Sequence, residues 1–237
     1  MLKALYERIL QSARPETVEV KGQTFSTEDL YLIPDSPDVE PIEIHSLTGI
    51  VDYVKSKFDR DSKFLIHIQS PNKVVLVDQL DTTNNRRTFV MSQAILPSIP
   101  FERFVEREKF QIMLQANFVE TEHRAMVLDI ISHIHIDDGG VELKDNGLTQ
   151  TVTVKQGAAT LSTQQLPPRV ILKPFRSFVE VPQPASEYVF RMNSQGACAL
   201  FEADGGSWQL EAIENMYEYF TRELAEQVEN GTIHILR

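Results

Sequence analysis

Beyond residue 60 the chain mostly alternates apolar and polar positions with a period of two, and five stretches, two of them before residue 60, keep a helical period instead. Phe64 to Gln69, Lys73 to Asp78 and Arg87 to Met91 read as three strands, with turns at Ser70-Pro71-Asn72 and Asp81 to Asn85. From Val141 the pattern is again that of strands. Asn146-Gly147 and Gln156-Gly157 are hairpin turns around the alternating run Leu148 to Lys155, so a meander is predicted. Nearer the start, Thr17 to Val20 and Thr24 to Ser26 flank Lys21-Gly22 as a small hairpin, Tyr31 to Ile33 adds an edge strand, and Pro34 to Pro41 forms a loop.

The helical stretches are equally specific. Leu2, Leu5, Tyr6 and Ile9 share one face of a short helix limited by Pro15. Ile50, Val51, Val54 and Phe58 lie behind the N-cap Ser46 and predict a helix ending near Asp59. Phe110, Met113 and Leu114 mark a third helix, and Met126, Val127, Ile130, Ile131 and Ile134 a fourth behind Thr121. In the last, Trp208, Ile213, Met216, Phe220 and Leu224 form the apolar stripe. Gly205-Gly206 makes the turn into it, Ser207 caps it, Trp208 anchors it and Asn230-Gly231 ends it, before a short strand with Ile233 and Ile235.

Between meander and last helix, Leu166 to Met192 carries five prolines and two alternating runs. Phe175, Ser177, Val179 and Val181 share one face of a predicted strand, with Arg176, Phe178 and Glu180 on the other. Tyr188, Phe190 and Met192 alternate against Val189 and Arg191. Pro182 to Ser186 connects the two runs, Pro174 belongs at an edge or bulge, and Ala197 to Glu202 pairs next. The predicted fold class is α+β: antiparallel β-sheets with a few packed helices and a C-terminal helix. Two closely packed parts are expected, an α+β subdomain over residues 1–100 and the helices, meander and C-terminal helix over 101–237.

Composition changes this picture little. The 237 residues are 42 % hydrophobic and 24 % charged, as in globular proteins. A net charge of −11 disfavours anionic lipid and nucleic-acid phosphates as general partners. The single cysteine, Cys198, excludes an internal disulfide and fits a reducing compartment. Glu7 and Arg8 interrupt any signal-peptide core, and no apolar run approaches the roughly 20 residues of a membrane-spanning helix. A cytoplasmic protein with no membrane partner is expected.

Candidate chemistry is sparse. His133-Ile-His135-Ile-Asp137-Asp138 resembles the His-x-His-x-Asp-His core of metallo-β-lactamase-like hydrolases. Asp138 stands where the last histidine belongs, and beyond His135 only His234 remains to complete a dinuclear site. The favoured reading places His133 at a helix C-terminus, facing the negative end of the dipole. Neither Gly-x-Ser-x-Gly nor a glycine-rich nucleotide loop occurs, so no catalytic residue and no cofactor is expected. Arg176, Phe178, Glu180, Tyr188, Phe190, Arg191 and Trp208 are the interface or ligand candidates. Aromatics and paired charges on alternating strands suit subunit contacts, while Glu202, Asp204 and Trp208 around the double glycine offer a ligand lip. Basic residues Lys55, Lys57, Arg60, Lys63, Arg86 and Arg87, with aromatics for stacking, leave nucleic-acid binding as a disfavoured option.

The order of helix Phe110 to Phe118, helix Thr121 to Ile134, meander, the Leu166 to Met192 block and a terminal helix resembles the YfdQ-like family of phage and prophage proteins. Leu166-Pro167-Pro168 and Lys173-Pro174-Phe175-Arg176 carry the resemblance, which covers the C-terminal half of the chain. It implies fold and phage origin and transfers no catalytic residue. The function expected is therefore a non-enzymatic protein of the bacterial host cytoplasm. It self-associates into a homo-oligomer, a closed assembly among the options, and acts by binding or assembly. The alternatives are a small-ligand or nucleotide binder that counters host defence and a nucleic-acid accessory protein of phage replication or recombination.

Overall fold

The structure, a computed structural model, describes residues 3, 16–20, 23–26, 39–59, 62–80, 85–134, 141–147, 149–156 and 159–237. Three expectations lie outside these residues: the N-terminal helix apart from Lys3, the strand Tyr31 to Ile33, and the stretch His135 to Gly140. The chain divides into two compact units, residues 1–39 and 40–237. In the first unit β1 (Thr17–Val20) pairs antiparallel with β2 (Gln23–Ser26), as the Lys21-Gly22 turn predicts.

The second unit opens with β3 (Ile42–Ile44) and α1 (Leu47–Ser56). Ser46 caps α1, its hydroxyl accepting the Gly49 N–H at 3.1 Å. Strands β4 (Phe64–Ser70), β5 (Lys73–Asp78) and β6 (Thr88–Gln93) are the three predicted strands, paired as a meander. Helices α2 (Arg107–Asn117) and α3 (Glu122–Ser132) follow, the second capped by Thr121 as expected. Strands β7 (Val141–Asp145), β8 (Gln150–Gln156) and β9 (Ala159–Leu166) make the second meander, an antiparallel three-stranded sheet. A further antiparallel sheet has the order β10 (Val170–Leu172), β11 (Ser186–Met192), β12 (Cys198–Glu202). Helices α4 (Trp208–Glu223) and α5 (Ala225–Glu229) lead to β13 (Ile233–Leu236). The α+β class stands, with one refinement. The largest sheet, ordered β13-β4-β5-β6-β3, is mixed, because its two outer strands run parallel to their neighbours.

Strand alternation builds two hydrophobic clusters. In the first, Phe64, Ile66 and Ile68 of β4, Val74 and Leu76 of β5 and Val90 of β6 face Leu47, Ile50, Val51 and Val54 of α1 and Met216 and Phe220 of α4. Each of these buried side chains contributes roughly 1.5–3 kcal/mol of transfer free energy. The second gathers Phe110 and Leu114 of α2, Val127 and Ile131 of α3, Val152, Val154 and Leu166 of the meander, and Tyr188, Phe190 and Met192 of β11. The C-terminal helix, expected with residues 101–237, thus packs on the sheet built from residues 64–93.

One predicted strand does not form. Residues 175–181 make bends and a turn, and it is β10 that pairs with β11, Val170 opposite Tyr188. Pro174, Pro182 and Pro184 lack the N–H groups a ladder needs. Local bonding is supplied instead by the Gln183 side chain. Its Oε1 accepts the N–H groups of Arg176 at 3.0 Å and Ser177 at 3.1 Å, and its Nε2 donates to the carbonyls of Phe178 at 2.9 Å and Val181 at 3.3 Å.

Candidate functional site

The loop that Gln183 holds delivers Arg176 to the place where β11, β12 and the start of α4 converge. Ser186 and Tyr188 lie on the buried side of β11 and Glu202 ends β12. The chain then turns at Asp204, whose Oδ1 accepts the Gly206 N–H at 3.0 Å. Gly205 and Gly206 have φ of 63° and 82°, left-handed values that explain the double glycine. Ser207, expected to cap α4, makes no side-chain capping bond; the Asp204 carboxylate organises the turn in its place.

Five expected residues, Arg176, Tyr188, Glu202, Asp204 and Trp208, meet here. Arg176, only 8 % exposed, donates from Nη1 to Glu202 Oε1 at 2.6 Å and from Nη2 to the Ser186 hydroxyl, which in turn donates to Asp204. Its guanidinium carbon lies 3.7 Å from the centre of the Trp208 ring and 5.9 Å from that of Tyr188. Burial lowers the Arg176 pKa from its ordinary value, and the negative groups around it offset part of that effect. Burial would raise Asp204, but its bonds from Ser186 and the Gly206 amide, with Arg176 nearby, hold it below the usual carboxylate range. Burial pushes the Tyr188 hydroxyl well up, so it stays protonated. The cluster is a charged knot suited to holding and orienting. Two buried atoms, Arg176 Nε and Tyr188 Oη, have no hydrogen-bond partner among the described residues.

The other candidates are dispersed. Arg191 lies with Nε 3.7 Å from Asp145 Oδ2 and donates to the Phe190 carbonyl. Glu180 reaches 133 residues back along the chain, where its Oε1 accepts the Leu47 N–H at 2.8 Å and places a negative charge at the α1 N-terminus. Phe178, Tyr188 and Phe190, considered for a subunit contact, lie in the chain's own core, at 1 %, 0 % and 0 % exposure. Phe178 belongs to the first cluster. Tyr188 stacks on Phe101 at 5.3 Å and Phe190 on Phe110 at 5.8 Å in the second. Their strand positions point inward because one face of β11 is covered by α2 and the 99–105 segment, so no surface is left for a partner at these rings.

His133 occupies the C-cap of α3, its Nδ1 2.8 Å from the Asp129 carbonyl and 3.6 Å from the Asp129 carboxylate. His135 and Asp137 lie outside the described residues. Among the described residues no three His, Cys, Asp or Glu side chains gather as metal ligands do. Cys198 is buried opposite Val105, and burial pushes its thiol up to about 12.

Two structural side chains escape a reading based on apolar periodicity. Gln183 sits in a proline-rich connection, where nothing local marks it. Gln150 does have a signal: it shares the inward register of β8 with Val152 and Val154. There its amide accepts the Met192 N–H and donates to the Met192 carbonyl, both at 2.9 Å, tying the meander to β11. A polar residue at an inward strand position needs partners, and that requirement was visible. Comparison with known protein families, curated proteins and solved structures finds no match to this chain.

Proposed function

We propose that this chain is a non-enzymatic protein of phage origin that works in the bacterial cytoplasm by self-associating and acting through binding or assembly. One observation carries the reading. Phe58, Ile95, Val179 and Leu210 are 85 %, 76 %, 76 % and 74 % exposed in a chain that completes two apolar clusters without them. Large exposed apolar groups favour contacts that remove them from water, at about 25 cal/mol per Å². The phage origin follows the resemblance to the YfdQ-like family. Light scattering across the micromolar range tests the proposal. A particle mass that is a multiple of the chain mass is expected, and a single-chain mass at every concentration overturns it.

A second reading has its own support. Its support is the buried Arg176 Nε in the charged knot, a donor without a hydrogen-bond partner among the described residues, for which a small polar ligand such as a nucleotide would supply the acceptor once Trp208 is displaced. Thermal-shift measurements with linear and cyclic nucleotides separate this reading from the first: a raised unfolding temperature supports it, and none at millimolar ligand removes it.

A further inference from the structure

We infer that the outer edge of β9 is a self-pairing surface through which two copies of the chain join their meanders into one continuous antiparallel sheet. The inference rests on the self-association proposed above and names one contact of that assembly.

An unpaired strand edge presents alternating N–H and C=O groups that another strand can take up, and folded proteins normally guard such edges. Most edges of this chain are guarded. On β10 the Ile171 N–H is taken by His123 Nδ1 at 2.8 Å, and the Val119 N–H continues the edge by donating to the Lys173 carbonyl at 2.8 Å. β12 is closed by Val105, which exchanges both backbone bonds with Cys198 at 2.8 Å, and by the Glu102 N–H, which donates to Leu200. β7 carries Glu142, Lys144 and Asp145. β3 is three residues long and contains Glu43. β13 is four residues long and is followed by Arg237, which pairs with Glu214 and stacks on Tyr217 at 4.2 Å.

β9 has none of these devices. Its eight residues, Ala-Thr-Leu-Ser-Thr-Gln-Gln-Leu, contain no charge, proline or glycine, and it stands at the end of its sheet. Among the described residues no backbone hydrogen bond leaves its outer side. A register shift near Thr160 and Ser162 leaves Ser162 to Leu166 as a regular stretch against β8. Leu166 is buried and fixes the face, so Thr163 and Gln165 stand exposed on the other.

The self-association proposed above makes a second copy the occupant, and charge locates where two copies can meet. Chains of −11 repel one another, and they approach at least cost where the contact strip is neutral. Gln156 to Pro168 is such a strip, between Lys155 and Arg169. Antiparallel pairing of Ser162 to Leu166 with itself sets Thr163 opposite Gln165 of the second copy around a two-fold at Gln164. Uncharged polar side chains then meet on the exposed face, and Gln164 meets its own copy on the other.

The test compares the native chain with Thr163→Lys, which places like charges on the diagonal across the two-fold, with an equimolar mixture of Thr163→Cys and Gln165→Cys chains, whose cysteines lie directly opposite one another, and with Thr151→Cys, all under mild oxidation. The native Cys198 is buried and does not compete. The expected result is an assembled native chain, a Thr163→Lys chain with unchanged circular dichroism whose association is weakened about tenfold or more, and disulfide-linked dimers from the mixed Thr163→Cys and Gln165→Cys chains with none from Thr151→Cys on the inner strand. An assembled native chain unaffected by Thr163→Lys, with no linked dimer, overturns this inference and leaves self-association standing. A native chain that stays single and gives no linked dimer overturns both. Should Thr163→Lys fail to fold, the cysteine pair decides alone.

Discussion

Phe190→Glu is expected to yield a chain with no cooperative unfolding transition. Phe190 is fully buried against Phe110, and its removal alone costs about 3–5 kcal/mol. The glutamate adds an unpaired carboxylate among Leu114, Val127 and Met192, at several kcal/mol more even if it takes up a proton. The sum consumes most or all of the roughly 5–15 kcal/mol that stabilises a domain. Phe178→Glu acts in the same way on the first cluster. Near-ultraviolet circular dichroism and urea titration read the effect. A variant that keeps its native spectrum while its particle mass falls would instead put the ring at a subunit contact and refute the core assignment. Phe190→Leu serves as the control and should remain folded, weaker by about 1 kcal/mol.

Gln183→Leu is expected to cost about 4 kcal/mol. The substitution keeps the size of the side chain and removes all four of its hydrogen bonds. It leaves two buried N–H groups, those of Arg176 and Ser177, without their acceptor, and each orphan costs about 1–3 kcal/mol. The Phe178 carbonyl retains a long contact from the Val181 N–H at 3.4 Å, so the carbonyl side loses less. Urea unfolding should show a lower midpoint with little change in slope. A loss under about 1 kcal/mol would mean that water replaces the amide and that the loop does not depend on it. Much does depend on this loop: within five residues it sends Arg176 to the charged knot, Phe178 to the first cluster and Glu180 to the α1 N-terminus.

The fold was largely legible because most elements obey local rules. Ser46 and Thr121 cap their helices, Asn146-Gly147 turns the meander, Gly231 with φ of 73° ends the last helix, alternation identifies β4, β8 and β11, and a short apolar run identifies β5. Residues 175–181 show where that logic stops. Their period of two is that of a strand, yet Arg176, Ser177 and Phe178 are all buried in succession and Val179 is exposed. The contacts that decide this come from Gln183, from the Pro71 carbonyl that accepts the Ser177 hydroxyl at 2.8 Å, and from Leu47. Partners more than a hundred residues away leave no trace in a local window. The site was half legible for the same reason. Glycines and a following tryptophan marked the Asp204 to Trp208 turn, and arginine was a sound candidate to meet it, but nothing nearby foretold that Glu202 and Asp204 would neutralise Arg176 from within.

The order in which the two clusters draw on the chain bears on its synthesis. The second cluster comes from residues 99–200, lodged between β6 and α4, whereas the first needs residues 44–94 and Phe178 and Val181 together with Met216, Phe220 and Ile233. A ribosome therefore releases everything the second cluster requires while the strands β4 to β6 still lack their α4 cover and their β13 neighbour. Chains stalled or truncated before α4 should present Ile66, Val74 and Leu76 to other nascent chains and to chaperones, which places the period of greatest exposure late in translation.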